Sequence, residues 1–318
     1  MTDGVATVTI AAMLDRRTLR TDSLLLTTAV IWGLAFTAQR AGMEFIGPYT
    51  YNAVRFALGA LSLVPLLLAS RPVDSALRSA RRRNRYRFLR DGVIAGALLF
   101  GGSSFQQVGL VYTTAGKAGF ITGLYVVIVP IAAAFLGRRT DRGRWIGAVL
   151  AVTGLYFLSV TSSFTVSRGD VLVFICAFFF AAHVLVLARY SRIWHPLRLA
   201  VVQYLTTALL SLITAAATED MVLTAIAAAW LPIVYGGMFS VGVAYSLQII
   251  AQREAHPAHA AILLSLEGAF AALGGFLILG ELLSPRDILG SALMLAGMLA
   301  SQSSTVFRSA RARRAGGA

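Results

Sequence analysis

The chain has 318 residues, 57% of them hydrophobic and 13% charged, with a mean hydropathy of +0.74. No ordinary soluble domain of this length is so apolar, so the composition points to a polytopic membrane protein. The formal net charge of +14 does not signal nucleic acid, because the basic residues avoid the apolar runs and gather between them. The single cysteine, Cys176, excludes a disulfide framework and a cysteine-based metal site.

The first segment, MTDGVATVTIAAMLDRRTLR, lacks a basic stretch ahead of its short apolar run and reads as a cytoplasmic tail over 1–22, not a cleaved signal peptide. Ten apolar stretches follow, each near the roughly 20 helical residues that a bilayer core needs. They fall at 23–43, 48–69, 91–112, 116–137, 143–160, 170–190, 196–217, 230–251, 258–280 and 286–306, with a basic tail over 307–318. Runs such as LVFICAFFFAAHVLVLA do not alternate apolar and polar positions, which excludes a barrel and leaves helices as the spanning element. Alternate connections hold twenty-three of the 28 basic residues: Arg16 to Arg20, the eight arginines from Arg71 to Arg90, GRRTDRGR, ARYSRIWHPLR, Arg253 and the tail from Arg308. The positive-inside rule therefore places both termini in the cytoplasm, and RSARRRNRYRFLR reads as a topogenic block. The opposite side holds Arg40, Lys117, Arg168 and Arg286.

The chain also repeats itself. GRRTDRGRWIGAVLAVTG places Gly137, Gly147 and Gly154 ten and seven apart, and GELLSPRDILGSALMLAG repeats the spacing 143 residues later with Gly280, Gly290 and Gly297. Gly96 and Gln107 likewise match Gly237 and Gln248, Pro48 matches Pro196, and Arg40 matches Arg189. The unit holds five helices, over 23–160 and 161–306. Five is odd, so the second copy must thread the membrane in the opposite sense, and a site shared by the halves then falls near the midplane. Alternating access is the expected mechanism.

VIWGLAF in the first stretch, YTYNAVRFALGAL in the second, VYTTAGKAGFITGLYVVIVP into the fourth, LEGAFAALGGFLILGE in the ninth and the glycine spacing that ends each half resemble the drug/metabolite transporter superfamily. The likeness is to its ten-helix EamA-type exporters, which include bacterial amino-acid exporters. The resemblance implies an all-α polytopic membrane protein: ten transmembrane helices as two inverted five-helix repeats, with helices one to four and six to nine around a central cavity and five and ten at the periphery. It implies a secondary transporter that exports amino acids or similar small metabolites across the bacterial inner membrane, with no enzyme activity and no cofactor. Its partners would be the small-molecule substrate and the lipid bilayer, with no nucleic acid; proton coupling and facilitated diffusion down a gradient are equally compatible with the residues. The rival readings are a multidrug or nucleotide-sugar carrier of the same superfamily, and a membrane-embedded enzyme acting on a lipid-linked substrate. Nothing resembles a Walker loop, so ATP is not expected to drive it directly. Two departures stand out: Arg138 where the second half has the family-like Glu281, and Gly268 where a proline often follows the glutamate.

The candidates for transport chemistry are polar residues inside apolar runs. Glu267, in AAILLSLEGAFAALGG, is expected about nine residues into its helix near mid-membrane, where a charged acid finds a partner or takes up a proton. It carries a coupling proton, contacts a substrate amine, or forms a hydrogen bond that only stabilises the bundle; its first-half match is Leu124. His183, the one histidine within an apolar run, suits a proton relay or is a satisfied packing residue. Arg55 pairs with Glu44, caps outer carbonyls or attracts a substrate carboxylate. Gln107 and Gln248 hydrogen-bond substrate from opposite ends or act as interhelical glue. Trp32, Phe36, Tyr125 and Tyr245 line the cavity or simply pack, whereas Trp145, Trp194 and Trp230 suit the membrane interfaces. Lys117 is expected to snorkel. Pro65, Pro130 and Pro232 each remove a helical hydrogen bond and favour a kink. Pro130, with Gly274 and Gly275 near its counterpart Leu273, makes up the hinge candidates. No metal site is expected.

Overall fold

The computed structural model describes residues 16–69, 85–135, 142–160, 165–252, 260 and 263–315. Most of the arginine block, Arg138, Arg253 and the link into the ninth stretch lie outside the described residues. Among the described residues seven helices are long and apolar enough to cross a membrane: Leu19–Gly42, Pro48–Ala69, Arg85–Tyr112, Ala115–Ala132, Arg168–Tyr190, Pro196–Thr218 and Trp230–Gln248. In chain order the elements are α1 (Arg16–Gly42), α2 (Pro48–Ser62), α3 (Val64–Ala69), α4 (Arg85–Tyr112), α5 (Ala115–Gly123), α6 (Tyr125–Phe135), α7 (Arg142–Ser159), α8 (Arg168–Tyr190), α9 (Pro196–Thr218), α10 (Leu223–Ala228), α11 (Trp230–Val234), a π-helical segment (Tyr235–Ala244), α12 (Tyr245–Gln252), α13 (Glu267–Leu279) and α14 (Pro285–Ala315). The fifth, ninth and tenth predicted stretches correspond to α7, α13 and α14. The last of these continues through most of the region read as a tail.

Local chemistry sets the boundaries. Pro48 and Pro196 open α2 and α9 after an extended residue; at the first helical position proline has no N–H to lose and its φ already fits. Thr114 and Ser167 cap α5 and α8 by accepting from Lys117 N and Gly169 N. Gly280 closes α13 at φ 67°, a left-handed conformation that only glycine adopts without strain. Several spans are broken. The second turns at Leu63 ahead of Pro65, the fourth at Leu124, and the eighth widens into the π-helix. At Leu124 the backbone tightens to three-residue bonds, with Leu124 N donating to Ile121 O at 3.2 Å and Val127 N to Leu124 O at 2.9 Å.

The repeated glycines mark where α7 and α14 cross. A Cβ on Gly147 would stand 2.6 Å from Gly297 O, and one on Gly154 2.6 Å from Gly290 O. Since the earlier glycine of α7 meets the later one of α14, the two helices run antiparallel, and any larger residue would force them apart. Other contacts come in pairs related by exchange of the halves. Helix α1 lies against α13 as α8 lies against α5 and α6; α4 meets α8 as the π-helix meets α1; α2 meets the π-helix as α9 meets α4. Helices α2 and α9 meet each other. Phe36, Phe120, Leu124, Val127 and Met298 belong to one buried cluster and Phe56, Leu99 and Tyr204 to another, and Phe180 of α8 packs against both. Outward faces stay apolar: Trp145, Val149 and Val152 on α7, Leu209 and Ile213 on α9, Leu277 and Ile278 on α13 are exposed, as a lipid-facing surface requires.

Candidate functional site

Glu267 does not sit nine residues into a continuous helix. The chain turns at Ser265 and Leu266, and Glu267 is the first residue of α13. Tyr125, one residue past the sequence match Leu124, likewise begins α6 just after the turn at Leu124. The two segments lie close together: a Cβ on Gly268, next to Glu267, would stand 2.9 Å from the ring of Phe120 in α5, and one on Gly119 would stand 3.2 Å from Gly268 Cα. The carboxylate is 5% exposed, and among the described residues neither a hydrogen bond nor an ion pair engages it. Helix α1 reaches the break because a Cβ on Gly33 would lie 2.7 Å from Glu267 O.

Arg55 is the opposite charge, 4% exposed on α2. Its expected pairing with Glu44 does not form, because Glu44 is exposed beyond the end of α1. Arg55 Nε instead donates to Asn52 Oδ1 at 2.9 Å, and Asn52 Nδ2 donates to Ser103 O at 3.1 Å. The guanidinium carbon lies 4.8 Å from the centre of the Phe56 ring and 5.5 Å from that of Tyr51. Its two terminal nitrogens have no hydrogen-bond partner among the described residues. The aliphatic stem passes Gly236 of the π-helix, where a Cβ would stand 3.4 Å from Arg55 Cδ.

An aromatic wall runs from Arg55 through Phe56 to Tyr204 and Tyr245, with ring centres 5.9 and 5.7 Å apart. Behind it, His183 Nε2 lies 2.8 Å from Gln203 Oε1. An amide oxygen only accepts, so the imidazole carries the hydrogen of this contact. Gln203 is fully buried and its Nε2 is unpartnered. Gln107 Nε2 donates to Gln39 O at 3.2 Å. The Oε1 atoms of Gln39 and Gln107 are both buried without a donor. Gln248 is only half-buried. Trp32 donates to Ser240 O of the π-helix at 3.0 Å, and Phe36 packs in the core. Pro130 lies inside α6. Gly274 sits where a Cβ would meet Thr37 Oγ1, and Gly275 where one would meet Glu281. Asn52 and Gln203 were not singled out by sequence, although each is an amide within an apolar run.

The model of the EamA-like transporter family matches residues 19–160 and again 167–301. The chain belongs to this family. An uncharacterized transporter of Archaeoglobus fulgidus is 34% identical over 275 residues, 85% of this chain and 82% of its own length. A second uncharacterized transporter of that archaeon is 27% identical over 139 residues, 42% of this chain and 46% of its own. A solved crystal structure superposes with a TM-score of 0.62 at 20% identity, over 90% of this chain and 97% of that one, which bears on the fold alone.

In this EamA-like transporter the end that holds Arg40, Lys117 and Arg286 is tied by charge at helix termini. Glu219, after α9, accepts from Tyr49 N at 2.9 Å and Thr50 N at 2.8 Å, capping α2. Glu281, after α13, accepts from Ala115 N at 2.9 Å, capping α5. Cations serve the C-termini: Arg40 donates to Leu110 O, Arg286 to Phe157 O, and Lys117, which bridges instead of snorkelling, to Leu158 O and Asp287. Both arrangements oppose charge to the helix dipole. A cleft of about 310 Å³ opens here among Arg40, Thr113, Lys117 and Asp170.

Proposed function

We propose that the chain is a secondary transporter that exports amino acids, or metabolites with the same two charges, across the bacterial inner membrane by alternating access. One observation carries this reading. Arg55 and Glu267, on different halves, are buried opposite charges that no ionic partner neutralises among the described residues. An isolated charge in lipid is costly, so a ligand offering a carboxylate to Arg55 and an ammonium to Glu267 relieves both at once. The ligand's body would lie along the wall of Phe56, Tyr204 and Tyr245. A lipophilic cation would satisfy Glu267 and leave Arg55 bare.

The inverted arrangement of 23–160 and 161–306 is supported by the antiparallel α7 and α14 and by the paired contacts. In this reading the breaks at Leu124 and before Glu267 would be half-helix ends near mid-membrane, where transporters built from inverted repeats hold their ligands. Glu267 is then the group at which substrate ammonium and a coupling proton compete, so proton entry drives export. His183 positions Gln203, and Pro130, Gly274 and Gly275 flex as the halves rock.

Competition against labelled amino acid in proteoliposomes tests the assignment. Arg55→Gln should raise KM by about 30-fold or more, since removing one partner of a buried charge pair costs roughly 2 kcal/mol or more, and should erase the preference for an amino acid over its amide. Glu267→Gln should erase the preference over the N-acetyl form. Unchanged KM and selectivity in both variants would overturn the reading.

A further inference from the structure

We propose that the cleft between the first turns of α4 and the last turns of α8 binds the headgroup of an anionic phospholipid. The cleft encloses about 360 Å³ and is walled by Arg87, Arg90 and Asp91 from α4 and by Leu185, Arg189 and Tyr190 from α8. Three guanidinium groups thus share it with one carboxylate. That carboxylate is already committed: Asp91 is 1% exposed, meets Arg90 Nη2 at 2.9 Å through Oδ1, and accepts the Trp194 indole N–H at 2.9 Å on Oδ2. Trp194 in turn packs edge-on against Phe88, with ring centres 5.3 Å apart. This wall is therefore built before any ligand arrives. Neither Arg87 nor Arg189 makes a salt bridge among the described residues, and Asp91 is the one carboxylate in the lining, so three cations against one anion leave an excess of two positive charges.

A guanidinium presents paired N–H groups that match two oxygens of one phosphate, and unpaired arginines on opposite walls can grip a phosphodiester from both sides. The charge count puts this end of the helices at the cytoplasmic interface, where basic pockets between membrane helices meet acidic lipid headgroups. The walls continue downward as apolar surface, which selects a lipid over a soluble anion. Ile94 lies on the same helical face as Arg87 and Arg90, roughly 10 Å below Arg87, and is 39% exposed. Phe178 continues the face of Leu185 and Arg189 and is 50% exposed. A headgroup held by the arginines would lay its acyl chains along these side chains.

Native mass spectrometry of the purified full chain, given phosphatidylglycerol or phosphatidylcholine in detergent, tests the site. The wild type is expected to retain phosphatidylglycerol in preference to phosphatidylcholine. R87Q/R189Q should weaken that retention by about 25-fold, about fivefold per arginine, while R168Q at the other end of α8 leaves it unchanged. R87K/R189K, which keeps the charge but loses the fork, should fall between, so a folding defect in the Gln variant cannot be mistaken for the effect. Equal retention of both lipids by the wild type, unchanged retention in R87Q/R189Q, or displacement of phosphatidylglycerol by millimolar inorganic phosphate would each overturn the proposal, the last by assigning the cleft to a soluble anion.

Discussion

Arg55 is held in place by a neighbour with no charge of its own. Asn52 stands three residues earlier on the same helical face, and its Oδ1 fixes the guanidinium through Nε. Asn52→Ala should therefore raise KM by about tenfold, the equivalent of about 1.4 kcal/mol for one charge-assisted hydrogen bond, with a smaller effect on kcat; the split is read from initial rates in proteoliposomes. Glu267→Gln keeps the side chain's shape and removes its titration, so flux should lose its dependence on pH while the melting profile in detergent is retained. A pH profile identical to the wild type would remove Glu267 from coupling. Both charged residues were legible in the sequence, because a charge inside an apolar run is costly without a partner or a task. Their surroundings were not. Gln203 stands as the lone amide in LRLAVVQYLTTALL, yet its contact with His183 crosses from one helix to another and has no local signature.

The helix ends carry the next level of organisation. Glu219 and Glu281 cap helices that begin some 170 residues earlier in the chain, each occupying backbone N–H groups that a helix cannot satisfy itself. A Cβ on Gly275 would lie 2.3 Å from Glu281 Oε2, so Gly275→Ala should dislodge the carboxylate. Glu281→Ala and Gly275→Ala are each expected to cost about 1 kcal/mol, and the double variant should cost little more than either alone, because both remove the same cap. Thermal melts in detergent check this, and fully additive losses would show that Gly275 acts elsewhere. Sequence pattern located the helices well: Pro48 and Pro196 marked two starts and Gly280 one stop. It did not locate the breaks. Leu124 is an ordinary helix former, and the turn before Glu267 contains only Ser265 and Leu266, so tertiary packing, not propensity, interrupts those spans.

At the scale of the molecule, the repeated glycine spacing was read only as a duplication, and the structure adds that the same glycines meet, Gly147 and Gly154 packing on Gly297 and Gly290. Which other helices would meet was hidden, because the paired contacts between halves join residues far apart in sequence. Among the described residues Arg55 of the first half and Glu267 of the second are buried charges without an ionic partner, and the central claim of the proposed function is that a single zwitterion engages both. Counterflow in proteoliposomes tests it most directly. Vesicles preloaded with unlabelled amino acid should accumulate the labelled form transiently, whereas vesicles preloaded with the amino-acid amide or the N-acetyl amino acid should not. Equal counterflow from all three internal solutes, or none from the amino acid, would contradict it.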